Sequence, residues 1–368
     1  MAPCTFTAES GRLSISTASD ADIAAELADR VRQATARGTP LRIVGGDTKR
    51  FYGRQIEGQP LEISGHRGVL SYDPSELVIT ARAGTPIHQI NALLAEHDQM
   101  LAFEPPVLGA ASTLGGVVAS GLAGPRRPFV GAVRDFVLGV TVLDGRGDAL
   151  RLGGTVFKNV AGFDGFRLMA GAHGCLGVLL DVSLRVVPRP ATEQSVSIDE
   201  DWPTSKARLA GLTARQTPLS AALHDGERLH LRFSGSEGGV GKAARESGGR
   251  PVPTGFWEDL RDFELPLFAS EGLWRLSIPH AGALADRGGQ RLIDWAGSQV
   301  WLATDARPAE VRGACERLGG HATLFRGANP GDEVFTPLPP PLLALHRRIK
   351  AAFDPAAVFN PGRMYGGL

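Results

Sequence analysis

Cysteine is almost absent: Cys4, Cys175 and Cys315 are the only three among 368 residues, and no two of them have C-x-x-C spacing. An odd, scattered trio argues against a disulfide framework and points to a reducing compartment. It also falls short of the four thiolates that an all-cysteine iron–sulfur cluster or structural zinc site requires. Charge of one sign is missing too, since 39 Lys and Arg balance 39 Asp and Glu. A neutral chain has no overall field to hold a phosphate polymer or an anionic membrane, so nucleic acid is not an expected partner. Residues 1–10 lack a basic stretch followed by an apolar one, which leaves the cytoplasm as the expected compartment.

Common catalytic fingerprints are missing as well. No G-x-G-x-x-G follows a strand pattern, no G-x-S-x-G elbow exists, and no H-E-x-x-H pair is present. Gly239-Val240-Gly241-Lys242 comes nearest to a P-loop, but Ser236 stands where its first glycine belongs and Ala243 where Ser or Thr is needed. That piece reads as a surface loop. The longest uncharged run, residues 105–125, has the length of a membrane span. Its only large apolar side chains are Val107, Leu108, Leu114, Val117, Val118 and Leu122, the rest being Gly, Ala, Pro, Ser and Thr. Such a mixture suits close backbone approach, not lipid.

Glycine is what the chain has in excess. With 47 Gly and 25 Pro, the two types fill roughly a fifth of the sequence against a usual sum of about 12%. No G-X-Y period accompanies them, so they predict tight turns and close approaches, as around a large bound cofactor. Hydrophobic residues at 43% and charged residues at 21% are ordinary for a folded chain, and the length suits one very large domain or two of usual size.

Patterning predicts strands over 13–16, 41–44, 61–64, 69–72, 77–82, 136–143 and 178–187, the last with good alternation. Asp20 is the expected cap of a helix carrying Ile23, Leu27, Val31 and Ala34 and ending at Gly38; Thr85 and Pro86 open a second, with Ile87, Ile90, Leu93 and Leu94 on its face. Pro188-Arg189-Pro190 marks a boundary. Beyond it come strands over 194–198, 273–278, 299–303 and 321–326, helices over 205–215 and 308–318, and a hairpin turning at Asp225-Gly226. A closing helix over 342–353 leads into the tail. The expectation is an α+β chain divided as 1–188, 189–340 and 341–368, without internal repeats.

Three glycine-rich stretches adjoin the strands: Val44-Gly45-Gly46-Asp47-Thr48-Lys49-Arg50, then residues 109–121, then Gly171-Ala172-His173-Gly174-Cys175-Leu176-Gly177-Val178. In the first, consecutive N–H groups freed by glycine can wrap an anion such as a pyrophosphate, with Thr48 and Lys49 nearby; a plain turn is the alternative. The second offers Gly109, Ser112, Thr113, Gly115, Gly116, Ser120 and Gly121, small enough for main chain to lie against a flat ring system, or for tight helix packing.

In this order and between these strands, the three stretches resemble the flavin domain of the vanillyl-alcohol oxidase / p-cresol methylhydroxylase type. Phe157-Lys158-Asn159-Val160-Ala161-Gly162-Phe163-Asp164 is similar to the K-N-V-A-G-Y-D segment of glycolate oxidase flavoprotein subunits. Phe353-Asp354-Pro355 and Asn360-Pro361-Gly362-Arg363 are similar to their F-D-P…N-P-G-R tail. The short length and residues 320–326 favour the family of the smaller FAD-binding subunit. The resemblance implies a two-domain FAD-binding fold, with FAD held by residues 44–50 and by Gly109, Ser112, Thr113, Gly115, Gly116, Ser120, Gly121, Gly174, Gly177, Val178 and Asn360. It assigns 189–340 to a cap, substrate or assembly domain and 341–368 to a tail returning to the flavin domain. The FAD is expected to be noncovalent, since the first glycine loop has neither the histidine nor the cysteine to which covalent relatives attach it.

The chain departs from the pattern in three places. Asp47 replaces a glycine, its charge needing an offset from Lys49 or a helix end; His173 and Cys175 replace Glu and Thr; and the G-H-x-G-D-G-N-x-H motif of larger relatives is missing. The resemblance implies oxidation of glycolate, or a 2-hydroxy acid such as D-lactate, with His321 and Arg326 as candidate base and carboxylate-holding cation and no metal. It also implies a larger flavoprotein and an iron–sulfur subunit as partners, and the membrane reached only through them. A flavin-bearing assembly or electron-relay subunit without its own substrate site, and a self-sufficient alcohol oxidase, are the alternatives.

Overall fold

The computed structural model describes residues 5–9, 12–16, 20–155, 164–253, 255–279 and 289–368. The chain forms two compact units, one built from residues 1–122, 132–188 and 337–368, the other from 123–131 and 189–336.

The first unit is organised by a seven-stranded antiparallel sheet in the order Thr5–Glu9, Arg12–Ser16, Val69–Asp73, Val78–Arg82, Val178–Arg185, Val137–Leu143, Ala149–Gly153. Val178–Arg185 lies between Val78–Arg82 and Val137–Leu143 and is buried except at Asp181 and Arg185. A separate parallel pair, Leu41–Val44 with Gln59–Glu62, flanks the first glycine loop, so that loop is part of a crossover connection. The helix Ala24–Arg37 buries Leu27, Ala28, Val31 and Ala34 at helical spacing and stops at Gly38, whose φ of 62° is the left-handed conformation that glycine adopts without a Cβ penalty.

The second unit carries an eight-stranded antiparallel sheet in the order Arg250–Pro251, Thr192–Asp199, Arg228–Gly235, Leu219–His224, Gln290–Asp294, Gln299–Ala303, Leu273–Ser277, His321–Arg326. Its two halves meet at a single paired position, His224 with Ile293, and each half has its own core. Leu229, Leu231 and Phe233 centre one core; Trp274, Leu276 and Leu324 centre the other.

Two expectations are corrected here. Residues 239–242 are not a loop but lie inside the helix Glu237–Ser247, because Val240, Ala243, Ala244 and Ser247 recur at helical spacing and are buried, outweighing the low helix propensity of the glycines. Asp20 does not cap the first helix; Ala24 N–H donates to Asp22 Oδ1 at 3.0 Å. Residues 105–125 form only the seven-residue helix Leu114–Ser120, and no helix among the described residues is long and apolar enough to cross a membrane. The stretch from Phe157 to Asp164 lies outside the described residues except for Asp164.

Candidate cofactor site

The strand Leu41–Val44 delivers the chain into Gly45, Gly46 and Asp47, and Asp47 adopts a left-handed φ of 51°, a conformation its short polar side chain tolerates. The charge of Asp47 is offset differently from the expectation: Arg42 Nη1 approaches Oδ1 at 3.3 Å and Arg50 Nη1 approaches Oδ2 at 3.7 Å. Lys49 instead donates to Ser112 Oγ at 2.6 Å, joining the first glycine stretch to the second. Ser112 is fully buried.

The glycines divide by what a side chain would meet. A Cβ on Gly45 would stand 2.5 Å from Thr113 Oγ1, and one on Gly46 would overlap the Ala111 carbonyl outright. Gly115 lies against Ala83, and Gly177 against the Leu143 carbonyl at 2.6 Å. These four permit loop and strand to pack. Gly116 differs: its Cβ would meet only Thr113 Oγ1, at 3.2 Å, so its backbone stands bare. Thr113 caps the short helix by accepting the Gly116 N–H. Ser120 bonds back to the Val117 carbonyl, and Gly121 ends the helix at φ 63°.

An open cleft lies among these elements. Of the residues expected at the cofactor, Gly45, Gly115, Gly116, Gly174, Gly177 and Asn360 line it. Val44, Gly46, Asp47, Thr48, Lys49, Arg50, Gly109, Ser112, Thr113, Ser120, Gly121 and Val178 do not; Val178 is buried within the sheet. Ile43, Ile63, Ala119, Met169, Ala172, Leu176 and Leu179 complete the walls. Ala119, Leu176 and Leu179 fall within the stretches expected at the cofactor, whereas sequence reading missed Ile43, Ile63 and Met169, because an apolar residue facing a cofactor has the same pattern as one facing core.

His173 also lines the cleft, with φ 52° and its ring 4.9 Å from that of Tyr52. Burial, and then the Arg363 guanidinium, push its pKa down to about 3, so the imidazole is neutral. Burial pushes the neighbouring Cys175 thiol up to about 11, which makes it a packing group and not a thiolate nucleophile. Asn360 spans the cleft's edge, accepting the Ile43 N–H at 2.8 Å and donating to the His173 carbonyl at 2.6 Å.

These residues suit FAD. Apolar walls and bare glycine backbone accept a flat ring system, and the glycine loop beside them offers backbone N–H groups of the kind that wrap a pyrophosphate.

His321 and Arg326 are not brought together. They sit at opposite ends of one strand, with roughly 16 Å between them at the usual rise per residue. A bulge at Phe325 offsets the odd count: His321 pairs with Ser277 and Arg326 with Leu273, which share one face of the partner strand, while Ala322 and Leu324 enter the core on the other. The strand by itself does not assemble the two into one site for a two-carbon acid. Among the described residues no cluster of His, Cys, Asp and Glu is arranged to hold a metal.

Comparison with known proteins identifies the class first: residues 21–153 match the FAD binding domain family, and the chain is an FAD-binding flavoprotein of the oxidoreductase kind. The fold agrees with that of alkyldihydroxyacetonephosphate synthase, at a TM-score of 0.63 over 92% of this chain and 74% of that one, with 15% identity. Along nearly its whole length the chain is 45% identical to the glycolate oxidase subunit GlcE of Escherichia coli, covering 95% of this chain and 99% of that protein, and it belongs to that subunit's family. The glycolate oxidase subunit GlcD of Bacillus subtilis is 32% identical over 35% of this chain and 27% of its own length. D-lactate dehydrogenase of Anaerostipes hadrus is likewise 32% identical, over 35% and 27%.

Proposed function

We propose that the chain is the FAD-binding subunit of a complex that oxidises glycolate, or a related 2-hydroxy acid such as D-lactate, to the 2-oxo acid. The observation that carries this reading is the end-to-end match to GlcE, to which the shorter matches to GlcD and D-lactate dehydrogenase add a shared substrate class. When bound, noncovalent FAD supplies a two-electron acceptor for the hydride of the substrate's α-carbon, while the hydroxyl proton goes to a base. The chain's own residues hold and shield it. Ile43, Ile63, Met169, Leu176 and Leu179 exclude water, Gly116 admits close approach, and Lys49 fixes the phosphate loop to Ser112.

Two electrons then need an outlet, and three cysteines cannot hold an all-cysteine cluster. The reading therefore includes a larger flavoprotein carrying the missing histidine motif and a cysteine-rich iron–sulfur protein, through which the assembly reaches the cytoplasmic membrane face. The separation of His321 from Arg326 favours a second reading, in which this subunit carries flavin for assembly or electron relay and the partner holds the substrate.

Anaerobic mixing of the flavin-loaded chain with glycolate or D-lactate separates them. Bleaching of the flavin in the isolated chain supports a substrate site of its own. Bleaching only in the co-expressed complex supports the second reading. A yellow complex that neither acid bleaches refutes 2-hydroxy-acid oxidation.

A further inference from the structure

Terminal segments are usually held loosely, but residues 354–363 are tied into the cofactor loops at several points. Leu41 N–H donates to the Val358 carbonyl at 2.7 Å and Asn360 N–H to the Leu41 carbonyl at 2.9 Å, so the tail runs beside the strand that feeds the first glycine loop. Asn360 links Ile43 to His173 through its side chain. The Arg363 guanidinium donates to the carbonyls of Arg50 at 2.9 Å, Tyr52 at 2.8 Å and Arg54 at 2.7 Å. Behind them Lys350 Nζ donates to Asp354 Oδ2 and to the carbonyls of Cys175 and Phe359, each at 2.7 Å. Asp354 in turn accepts the N–H groups of Val358 and Phe359.

Glycine placement is an independent sign of the same fit. A Cβ on Gly174 would stand 2.6 Å from Asn360 Nδ2, one on Gly145 2.6 Å from Asp354 Oδ1, and one on Gly53 3.0 Å from Arg363 Nε. Three loops each leave room for one tail side chain.

We infer that residues 350–363 form a clasp that holds the loop 45–54 and the loop 171–177 in their FAD-binding geometry, so that docking of the tail and binding of FAD are one linked equilibrium. This deepens the cofactor assignment by naming what shapes the cradle. Arg363 is a positioning residue: its four carbonyl partners, with Lys49 at 3.4 Å the longest, belong to the loop 45–54, and charge-assisted bonds from one planar group fix their relative placement. Linkage makes the effect reciprocal, and FAD must strengthen tail docking by the same factor by which the docked tail strengthens FAD binding.

The test uses the full chain, with FAD affinity from flavin fluorescence and amide hydrogen exchange on the apo and loaded forms. Arg363→Ala is expected to weaken FAD by about tenfold and to speed exchange across residues 45–54 in the apo chain. Added guanidinium ion at low concentration restores affinity in the variant and does nothing for the wild type. FAD slows exchange at residues 358–363 of the wild type. Where Arg363→Ala fails to fold, Arg363→Lys, which keeps the charge and loses the fork, is held to the same affinity criterion. An affinity within twofold of wild type in the folded variant overturns the clasp, even if its melting temperature falls. A wild-type chain that does not bind FAD overturns the cofactor assignment instead.

Discussion

Adding one methyl group at Gly116 and one at Gly46 separates cofactor contact from packing. At Gly46 the new Cβ collides with the Ala111 carbonyl, a backbone atom that moves only with its loop. Overpacking of this kind costs about 1–3 kcal/mol, and Gly46→Ala is expected to lose that stability in the apo chain. At Gly116 the methyl meets only Thr113 Oγ1 at 3.2 Å, a contact relieved by a few tenths of an ångström. Gly116 lies in the helix Leu114–Ser120, where alanine is favoured over glycine by up to about 1 kcal/mol, so the two terms nearly cancel. Gly116→Ala therefore leaves apo stability within about 1 kcal/mol of wild type. Its methyl projects toward a cleft meant for a flat ring, and FAD affinity is expected to fall at least tenfold, a loss of about 1.4 kcal/mol. Urea denaturation of the apo chains and flavin titration of the same samples give both quantities. If Gly116→Ala binds FAD as wild type does, the bare backbone at 116 is not a cofactor surface, and the assignment of the cleft fails with it.

Three further outcomes are expected. Asp294 is buried and its pKa is pushed up to about 7, chiefly by desolvation against the opposing bonds from Trp295 and Gln299; the folded chain then binds more protons than the unfolded one between about pH 4 and 7, and stability falls as pH rises through that window. Asp294→Asn should lose this slope in urea midpoints taken across the range, and an unchanged slope would remove Asp294 as its source. Lys350→Met leaves Asp354 buried without its cation and is expected to cost about 3 kcal/mol or more, measured as a shift in denaturation midpoint; a change below about 1 kcal/mol contradicts the pairing seen at 2.7 Å. Acid precipitation of the yellow protein should release flavin to the supernatant, whereas colour retained on the pellet would show a covalent bond, with His173 in the cleft wall the first residue to inspect.

Where sequence reading succeeded, local pattern and burial agreed. The strands Leu41–Val44, Gln299–Ala303 and His321–Arg326 are short apolar runs bounded by turn residues, and their ends were legible to the residue. The helix Glu237–Ser247 was hidden because its three glycines speak for a loop locally, and only the partner surface shows that Val240 and Ala244 share a buried face. At the site, glycine marked the right loops but not the role of each residue. Whether Gly46 or Gly116 faces a ligand depends on what lies across from it, and nothing in the chain near Gly46 announces Ala111. The spacing of His321 and Arg326 is a different case: five positions along a strand already imply about 16 Å, but the bulge that decides which face Arg326 takes comes from pairing with Leu273 and Trp274 and is not written in the strand's own sequence.

The side chain of Asn360 meets Ile43 across 317 positions of sequence, and the second unit's residues 189–336 are interposed between the two. A ribosome therefore finishes both glycine loops, and the whole of the intervening unit, before it produces the residues that lock them together. Contacts so distant in the chain are late to form, because their loop must close before they repay it. The nascent protein must carry an open flavin cradle through most of its own synthesis. Cofactor loading is thus a finishing step, and a product cut off before residue 354 contains all three glycine stretches but none of the tail contacts that hold them in place.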